Sequence, residues 1–311
     1  MRPTIQRAAI LPQTPLHYER LFSSELVDIT RVCCRPNEPG CGAPEAANDH
    51  HVVVPHRGVF VMHVGKRRYV AHPAAVLFFT AGREYRVSHP VGNGDDCSSL
   101  RFAPEVLHEA LDSAYRGSVH DSAPFDAIGT AVAPPAAQLL AARRLPALTE
   151  TGASTLEIEE TALSLLRDAL RAGRKAGLGP RRARRVETEM RTRRWAEEVE
   201  LHLAANPGRR WTLAELGREV GCSPYHLARG FRAVSGKSIH RSLMAIRVAI
   251  AAERVLGGEA DLSGLAQELG FASHAHLSTT FRAAHGIPPS AIRPLAHSHK
   301  SKATAVRMWR S

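Results

Sequence analysis

One stretch of the chain is written twice, and this repeat limits the folds that the second half can form. The first copy is LAELGREVGCSPYHLARGFRAVSG, residues 213–236, and the second is LSGLAQELGFASHAHLSTTFRAAHG, residues 262–286. Matching positions lie 49 residues apart before Phe271 and 50 apart after it, because the second copy has one extra residue there. An internal repeat of this period predicts two structural units of the same kind.

Each copy has the pattern of a helix-turn-helix. A short run with helical apolar spacing ends at a glycine, Gly221 or Gly270, where a left-handed residue is favoured. A serine that can cap a helix follows, Ser223 or Ser273. Apolar residues four apart then hold the second helix against the first, and they are Leu227 with Phe231 and Leu277 with Phe281. The opposite face of this second helix stays free, as in a recognition helix that enters the major groove.

A third helix is predicted between the copies. Residues 238–256 contain apolar residues at helical spacing and neither proline nor glycine. A helix of about 18 residues is about 27 Å long. A helix of this length could hold two recognition helices near the ~34 Å that separates successive major-groove faces on one side of B-DNA. One chain is therefore expected to present two recognition helices to two adjacent grooves.

The segment from about residue 190 to 295 resembles the DNA-binding domain of AraC/XylS-type transcription regulators. The matching residues are SPYHLARGFRAVSG, the joining helix with Arg247, and DLSGLAQELGFASHAHLSTTFRAAHGIPPSAIR. The last stretch resembles the family signature over its whole length, including the Gly270-Phe271 turn and the ending with Gly286, Pro288, Pro289, Ser290 and Arg293. The resemblance implies a sequence-specific regulator that binds double-stranded promoter DNA, and RNA polymerase as well if it is an activator.

The first recognition helix should read bases mainly through an arginine. Its outward face presents Pro224, Tyr225, Ala228 and Arg229. An arginine can donate two parallel hydrogen bonds to guanine O6 and N7, worth ~1–3 kcal/mol of discrimination, so Arg229 is the best candidate. Tyr225 either touches a thymine methyl or a phosphate, or packs against the start of its own helix.

The second recognition helix is expected to position the protein more than to read bases. Its outward face presents His274, Ala275, Ser278 and Thr279. Some relatives have an arginine at the position of Thr279, and its absence here argues against strong guanine reading. The residues expected to contact phosphates are Ser273, Thr280 and Arg282 in the second unit and Arg232, Lys237 and Arg247 in the first.

Charge is concentrated where the repeat lies. Residues 1–180 contain 19 basic and 19 acidic residues, whereas residues 181–311 contain 22 and 11. A basic surface of this kind is typical of a part that meets phosphates. A merely solvated basic surface, or a low-specificity DNA-binding protein, would give the same charge balance.

The first half has the pattern of short strands followed by helices. Residues 52–54, 59–61, 64–70 and 75–79 are rich in β-branched and aromatic residues and are separated by glycine and proline. Residues 40–103 resemble the cupin-like sensor half of many AraC-type regulators. The fold class is therefore predicted to be α+β, with an N-terminal cupin-like small β-barrel and flanking helices before an all-α double helix-turn-helix domain.

Four segments are predicted. A sensor and dimerisation domain covers residues 1–175, a basic linker 176–191, the DNA-binding domain 192–295 and a basic disordered tail 296–311. The helical stripe of Leu156, Leu163, Leu166 and Leu170 either covers one sheet face or pairs with a second copy in a homodimer. The seven arginines in residues 181–194 either contact phosphates or form a solvated tether.

A barrel of this kind offers a site for a small-molecule effector. The strand histidines, His50, His51, His56, His63 and His72, lack the spacing of a cupin metal site, so neither a metal nor another cofactor is expected there. The segment CCRPNEPGC places Cys33, Cys34 and Cys41 close together. These thiols would suit a soft metal or a redox-sensitive disulfide, which gives the alternative of a thiol- or metal-responsive regulator. Chance cysteines in a loop rich in proline and glycine are the other interpretation.

Other classes of protein are disfavoured. The chain shows no Ser-His-Asp arrangement, phosphate loop or metal triad, so no catalytic residues are assigned and no enzyme is expected. It has no run of about 18 apolar residues and no apolar leader segment, so neither a membrane span nor secretion is expected. Five cysteines, an odd number, do not suggest a disulfide framework. These observations together favour a cytoplasmic location.

Overall fold

Two β-sheets form the centre of the N-terminal half. The computed structural model describes residues 16–36, 42–92, 94–115, 131–177 and 186–292. In these residues the strands are β1 (Leu16–Ser23), β2 (Val27–Cys34), β3 (Glu45–Ala46), β4 (His51–Gly58), β5 (Phe60–Val64), β6 (Arg67–Ala71), β7 (Val76–Phe79), β8 (Glu84–Ser88), β9 (Asp95–Phe102) and β10 (Ala131–Val132). One sheet has the order β1-β2-β9-β4-β7-β10 and the other the order β3-β8-β5-β6. This double sheet confirms the predicted cupin-like, strand-rich half.

The larger sheet is buried on both faces at β4 and β7, whose successive side chains point in opposite directions. In β4, Val52 and Val54 pack into a core formed with the helices, whereas Val53 packs into a core between the two sheets. In β7, Phe78 faces the helices and Leu77 faces the other sheet. The continuous apolar runs of β4 and β7 reflect this burial on two sides.

Residues 64–70 contain the end of one strand, a turn at Gly65 and the start of the next strand. β5 ends at Val64 and β6 begins at Arg67, and the two pair as an antiparallel hairpin. Gly65 in the turn has a φ of 56°, which glycine adopts without the steric cost that other residues have. This turn gives the four-stranded sheet a tight edge hairpin in place of one long strand.

Four helices cover the larger sheet in the described part of the N-terminal half. They are α1 (Pro104–Tyr115), α2 (Ala136–Arg143), α3 (Leu145–Glu150) and α4 (Thr155–Gly177). In the predicted leucine stripe of α4, Leu166 and Leu170 are buried against the sheet and Leu163 is partly buried there. Leu156 is 64% exposed. The core interpretation is confirmed for the stripe except at Leu156.

The C-terminal half is helical throughout its described residues. Its helices are α5 (Val186–Ala205), α6 (Leu213–Glu219), α7 (Pro224–Ser235), α8 (Ile239–Leu256), α9 (Leu262–Glu268), α10 (His274–His285) and a short 3-10 helix (Pro289–Ile292). The two helix-turn-helix units are α6 with α7 and α9 with α10, and α8 joins them. α4 and α5 extend into the predicted linker, of which residues 178–185 lie outside the described residues, as does the tail 296–311.

The two halves share hydrophobic cores, which fixes how they sit against each other. Val199 and Leu203 of α5 pack in one cluster with Val61 and Val70 of the smaller sheet. Leu140 of α2 packs in a second cluster with residues of α8 to α10. None of the helices in the described ranges is long and apolar enough to cross a membrane.

Candidate nucleic-acid interface

The start of each recognition helix is fixed by the predicted serine. The Ser223 hydroxyl accepts a hydrogen bond from the backbone N–H of His226, and the Ser273 hydroxyl accepts one from His276. Each capped donor is one of the backbone groups that a helix leaves without an internal partner. Gly236 and Gly286 end the same helices in the left-handed conformation. Both helices therefore have defined ends, which positions the side chains of their first turns.

The start of α6, the first helix of the first unit, is fixed by a capping box that was not predicted from the sequence. The Thr212 hydroxyl accepts from the N–H of Glu215, and the Glu215 carboxylate accepts from the N–H of Thr212. The spacing Thr-x-x-Glu before an apolar run is the sequence signal for this motif. Leu216 of α6 is buried, while Leu213 in its first turn is exposed.

Buried residues hold each recognition helix to its unit. Leu227 and Phe231 of α7 lie in one core, and Leu277 and Phe281 of α10 lie in another. Their burial leaves the opposite faces of both helices at the surface, as an α-helix places residues four apart on the same side.

On α7, Pro224 and Arg229 are exposed and Ala228 is half-buried; the side chain of Tyr225 lies outside the described part of the structure. Arg232 is also exposed. Among the described residues, neither Arg229 nor Arg232 takes part in an ion pair. Both guanidinium groups are therefore exposed and without an acidic partner in the described part of the chain.

On α10, His274, Ala275 and Thr279 are exposed and Ser278 is half-buried. The Ser278 hydroxyl lies 3.2 Å from Nε2 of His274, so these two side chains form one polar pair on the exposed face. The Thr280 hydroxyl donates to the carbonyl of His276 within the helix. Ser273 and Arg282 are exposed near the two ends of the helix.

Arg247 is buried and does not lie at the surface, where the predicted phosphate contact requires it. The residue is 6% exposed on α8, and its guanidinium donates to the carbonyl oxygens of Pro207, Gly270 and Arg209 at 2.7, 2.8 and 3.0 Å. Burial lowers the pKa of Arg247, and the charge of Arg210 lowers it further. The predicted phosphate contact is wrong, because this side chain instead joins α8 to the loop before α6 and to the turn of the second unit.

Lys237 is half-buried just after α7. Burial opposes the ionisation of Glu200 on α5, but the hydrogen bond to His72 and the charges of His72 and Lys237 lower the pKa of this carboxyl. Nε2 of His72 lies 3.2 Å from Oε1 of Glu200. Lys237 is therefore close to a contact between the two halves as well as to the recognition helix.

A cluster of buried charges connects α8 to the N-terminal half. Oε2 of Glu253 lies 3.3 Å from Nδ1 of His56 and 3.4 Å from Nε of Arg143. Burial would raise the pKa of Glu253, but the charges of His56 and Arg143 lower it to about 2. The Arg143 side chain is fully buried and also donates to the carbonyls of Pro55 and Pro73. Glu253 therefore balances a positive charge that water does not reach.

A cavity of about 640 Å³ lies beside this cluster, between the two halves. The N-terminal half lines it with Arg57, Gly58 and Gly92, and α8 and the turn after it line it with Ile250 and Glu253. Any molecule held here would touch the joining helix of the two helix-turn-helix units directly.

Two of the three cysteines considered as a thiol cluster, Cys33 and Cys34, lie within the described residues. Cys33 and Cys34 are neighbours on β2, so their side chains point to opposite faces of the sheet. Cys33 is half-buried with its Sγ 3.4 Å from Asp96, whereas Cys34 is buried. Cys41 lies outside the described residues.

The strand histidines have partners within the protein. His50 accepts from the N–H of Ala81, and His51 stacks on Phe79 with ring centroids 4.8 Å apart. Nε2 of His63 lies 2.8 Å from the hydroxyl of Ser88. His56 and His72 lie in the contacts between the halves described above.

One group of buried polar residues, Cys34, His89 and Asp95, was not predicted from the sequence. Nε2 of His89 lies 2.5 Å from Oδ1 of Asp95, and both residues are buried. Burial opposes the charge of His89, but hydrogen bonds with Asp95 and Cys34 raise its pKa to about 9. No spacing rule connects these three positions, since they meet only when β2, β8 and β9 pack together.

Comparisons with known proteins match both halves of the chain. A model of AraC-binding-like domains matches residues 34–171, and a model of helix-turn-helix domains matches residues 216–294. A putative AraC-like transcription regulator from Streptomyces lividans is 33% identical over 91 residues, which are 29% of this chain and 30% of that protein. The match thus spans less than a third of this relative's length.

Two solved structures of bacterial proteins match parts of the chain. An apo form of ToxT from Vibrio cholerae is 12% identical, covers 88% of this chain and 98% of its own, and has a TM-score of 0.37. The C-terminal domain of AraT from Geobacillus stearothermophilus is 27% identical, covers 33% of this chain and 84% of its own, and has a TM-score of 0.30.

Proposed function

The chain belongs to the AraC/XylS family of transcription regulators, and we propose that it binds promoter DNA by placing α7 and α10 in two adjacent major grooves. The observation that carries this proposal is the pair of helix-turn-helix units held by one continuous helix, α8, of 18 residues. Each unit leaves the outer face of its second helix at the surface, and the net positive charge of the chain lies in residues 181–311.

Arg229 is the base-reading residue in this proposal, because it is exposed on α7 and has no acidic partner in the described residues. Pro224, Tyr225 and Ala228 complete the reading face of α7. On α10 the reading face consists of His274, Ala275, Ser278 and Thr279. Arg232, Lys237, Ser273, Thr280 and Arg282 are the phosphate contacts, of which Thr280 is the weakest because its hydroxyl already donates within α10.

The N-terminal half controls this binding in our proposal. Its contacts with α8, through Glu253, and with α5, through Glu200, connect the β-sheets to the helices that carry the DNA-binding units. An effector acts only if it binds the two states of the protein with different affinity, and the cavity beside Glu253 is the place where this difference would arise. The proposal also includes association into a homodimer and, if the protein is an activator, contact with RNA polymerase.

The test is selection of bound sequences from a random pool of duplex DNA by the purified full-length chain, followed by footprinting. The proposal expects an enriched sequence with two protected major-groove patches one helical turn, ~34 Å, apart. If no sequence is enriched while binding persists and weakens steeply with salt, the chain is a low-specificity binder. Enrichment with a single protected patch would contradict the use of both units.

A further inference from the structure

Three buried side chains with metal-binding atoms meet between the two sheets of the N-terminal half. Cys34 is the last residue of β2, Asp95 is the first residue of β9, and His89 directly follows β8. The ligand atoms of these residues all lie within 4.8 Å of one another. The group therefore joins both sheets, with two residues on the larger one and the third at the end of a strand of the smaller one.

Strand pairing fixes this group in place. Cys34 is the register partner of Asp95 across the β2–β9 pair, so both side chains lie on the same face of the sheet. Cys97 lies two residues after Asp95 and shares that face, which is the one that packs against the smaller sheet. A site built on strands holds its ligands more accurately than one built on a loop.

Close backbone packing at the strand ends adds to this rigidity. Gly94 has a φ of 66°, and a Cβ atom there would collide with the carbonyl oxygen of Cys34. Gly58, opposite Asp95 on β4, has a φ of 78°, and a Cβ atom there would collide with the backbone of Gly94. Only glycine at both positions allows β2, β9 and β4 to approach this closely.

The donor set is the one that zinc and similar cations take. A thiol, an imidazole and a carboxylate provide sulfur, nitrogen and oxygen, and zinc binds three such protein ligands with a fourth position to fill. Cys97 is a second thiol in contact with this group, since its Sγ donates to Oδ2 of Asp95 at 3.1 Å and the residue is 2% exposed. A simple ion pair between His89 and Asp95 would not require the thiols of Cys34 and Cys97 beside it, whereas a metal site uses such thiols as ligands.

We propose that Cys34, His89 and Asp95 bind one thiophilic divalent cation of the zinc class, with Cys97 as the nearest further ligand. On binding, the cation replaces the proton of the Cys34 thiol and the proton that His89 shares with Asp95. The thiolate and the carboxylate then carry two negative charges against the two positive charges of the cation. The buried site is neutral in this state, which avoids the cost of an unbalanced charge away from water.

This site goes beyond the proposed reading of DNA, because no residue of α7 or α10 takes part in it. It lies next to the cavity between the halves: the N–H of Gly92 donates to the carbonyl of His89, and Gly92 lines the cavity. The proposed site also differs from the group of Cys33, Cys34 and Cys41 that the sequence analysis considered. The two share only Cys34.

The test uses the full-length chain without a histidine tag, reduced and stripped of metal with a chelator. Cobalt(II) is added as the probe, and the thiolate-to-cobalt charge-transfer band is followed in the near ultraviolet. The proposal expects one cobalt per chain, with a charge-transfer band that zinc abolishes by displacement. Absence of that band in the folded chain would overturn the proposal.

Two variants identify the ligands. Cys34→Ser should remove or strongly reduce the charge-transfer band and weaken cobalt binding by at least about tenfold, the smallest loss seen for residues that only support a metal ligand. His89→Gln should weaken binding to a similar extent while retaining the sulfur band. The second variant keeps the proposal testable if the first is unstable.

Cys33→Ser is the matched control, because Cys33 is the adjacent residue of the same strand and faces the other side of the sheet. It should bind cobalt as the unchanged chain does, and so should Cys41→Ser. If either of these controls removes the band, the metal is held by the segment 33–41 and the proposed site is wrong. DNA binding of Cys34→Ser is measured separately, so a failure of the metal site is not confused with a failure of DNA reading.

Discussion

Nε of Arg143 lies 3.4 Å from Oε2 of Glu253, and this contact joins the last residue of α2 to the helix that connects the two DNA-binding units. The Arg143 side chain is fully buried, while Glu253 is 17% exposed. A guanidinium in this position depends on a nearby negative charge, because leaving it unbalanced away from water is costly.

Glu253→Gln should therefore destabilise the folded chain by about 3 kcal/mol, the lower end of the range for removing one partner of a buried ion pair. Urea unfolding measures this change. Glu268→Gln is the matched control, because Glu268 pairs with Arg254 at 2.9 Å but is 58% exposed. Loss of this exposed ion pair should change the free energy of unfolding by less than about 1 kcal/mol. Equal effects of the two substitutions would show that Arg143 does not depend on Glu253.

A histidine in the core of the second unit should make stability depend on pH. His285 is 8% exposed and packs on Phe281 with ring centroids 4.4 Å apart. Burial and the charge of Arg143 lower the pKa of His285 from 6.5 to about 4. The unfolded chain then binds a proton at a higher pH than the folded chain does. The stability that neutral, buried His285 contributes is complete above pH 6.5 and is lost as the pH falls towards 4.

His285→Leu should reduce the change of the unfolding free energy between these two pH values, because leucine keeps an apolar side chain there and does not titrate. Urea unfolding of both proteins across this range checks the result. Glu253 does not mask the effect, since its folded pKa of about 2 and its ordinary value of 4.5 place most of its own contribution at lower pH. An unchanged slope in His285→Leu would assign the pH dependence to other groups.

The repeat, the serine caps of the two recognition helices and the apolar strands of residues 52–79 were predictable from local pattern, because each depends on residues a few positions apart. Ser223 and Ser273 cap the helices as their place before an apolar run indicates. The roles of Arg247 and His89 were not predictable in this way. Arg247 meets carbonyls 23 to 40 residues away, and His89 meets Cys34 from another strand. Such contacts follow from tertiary packing, which a single sequence does not encode as a spacing.

Gly270 should be the most sensitive glycine of the second unit. It has a φ of 70°, and a Cβ atom there would collide with the carbonyl oxygen of Gly208 and approach the Arg247 guanidinium. Gly286 has a φ of 80°, yet a Cβ atom there would meet nothing within 4 Å. Gly286→Ala should cost about 1 kcal/mol from the backbone conformation alone. Gly270→Ala should cost clearly more, as measured by thermal unfolding, and equal costs would mean that the turn adjusts freely.

Arg247→Ala separates a structural role from a role in DNA binding. Three carbonyl oxygens lose a charged donor, and a buried acceptor left without a partner costs about 1–3 kcal/mol. We therefore expect a large loss of stability in urea unfolding. At a temperature where the variant is still folded, the dependence of DNA affinity on salt should be unchanged. If Arg247→Ala instead lowered the salt slope by about one unit, the result would show that Arg247 does contact a phosphate.

Arg229→Ala tests direct reading of DNA. Because Arg229 is exposed on α7 and α7 carries its core contacts on the other face, the variant should fold normally. If the side chain bonds to a guanine, its loss should remove ~1–3 kcal/mol of discrimination at one base pair and leave the other positions unchanged. Selection from a random DNA pool, repeated with the variant, measures this directly.

Lys237→Ala is the comparison, since loss of a phosphate contact should weaken all sequences alike and lower the salt slope by about one unit. Arg86→Ala, which removes an exposed arginine from the smaller sheet, is the control for charge alone. An Arg229→Ala variant with the original sequence preference would show that α7 reads DNA through other residues.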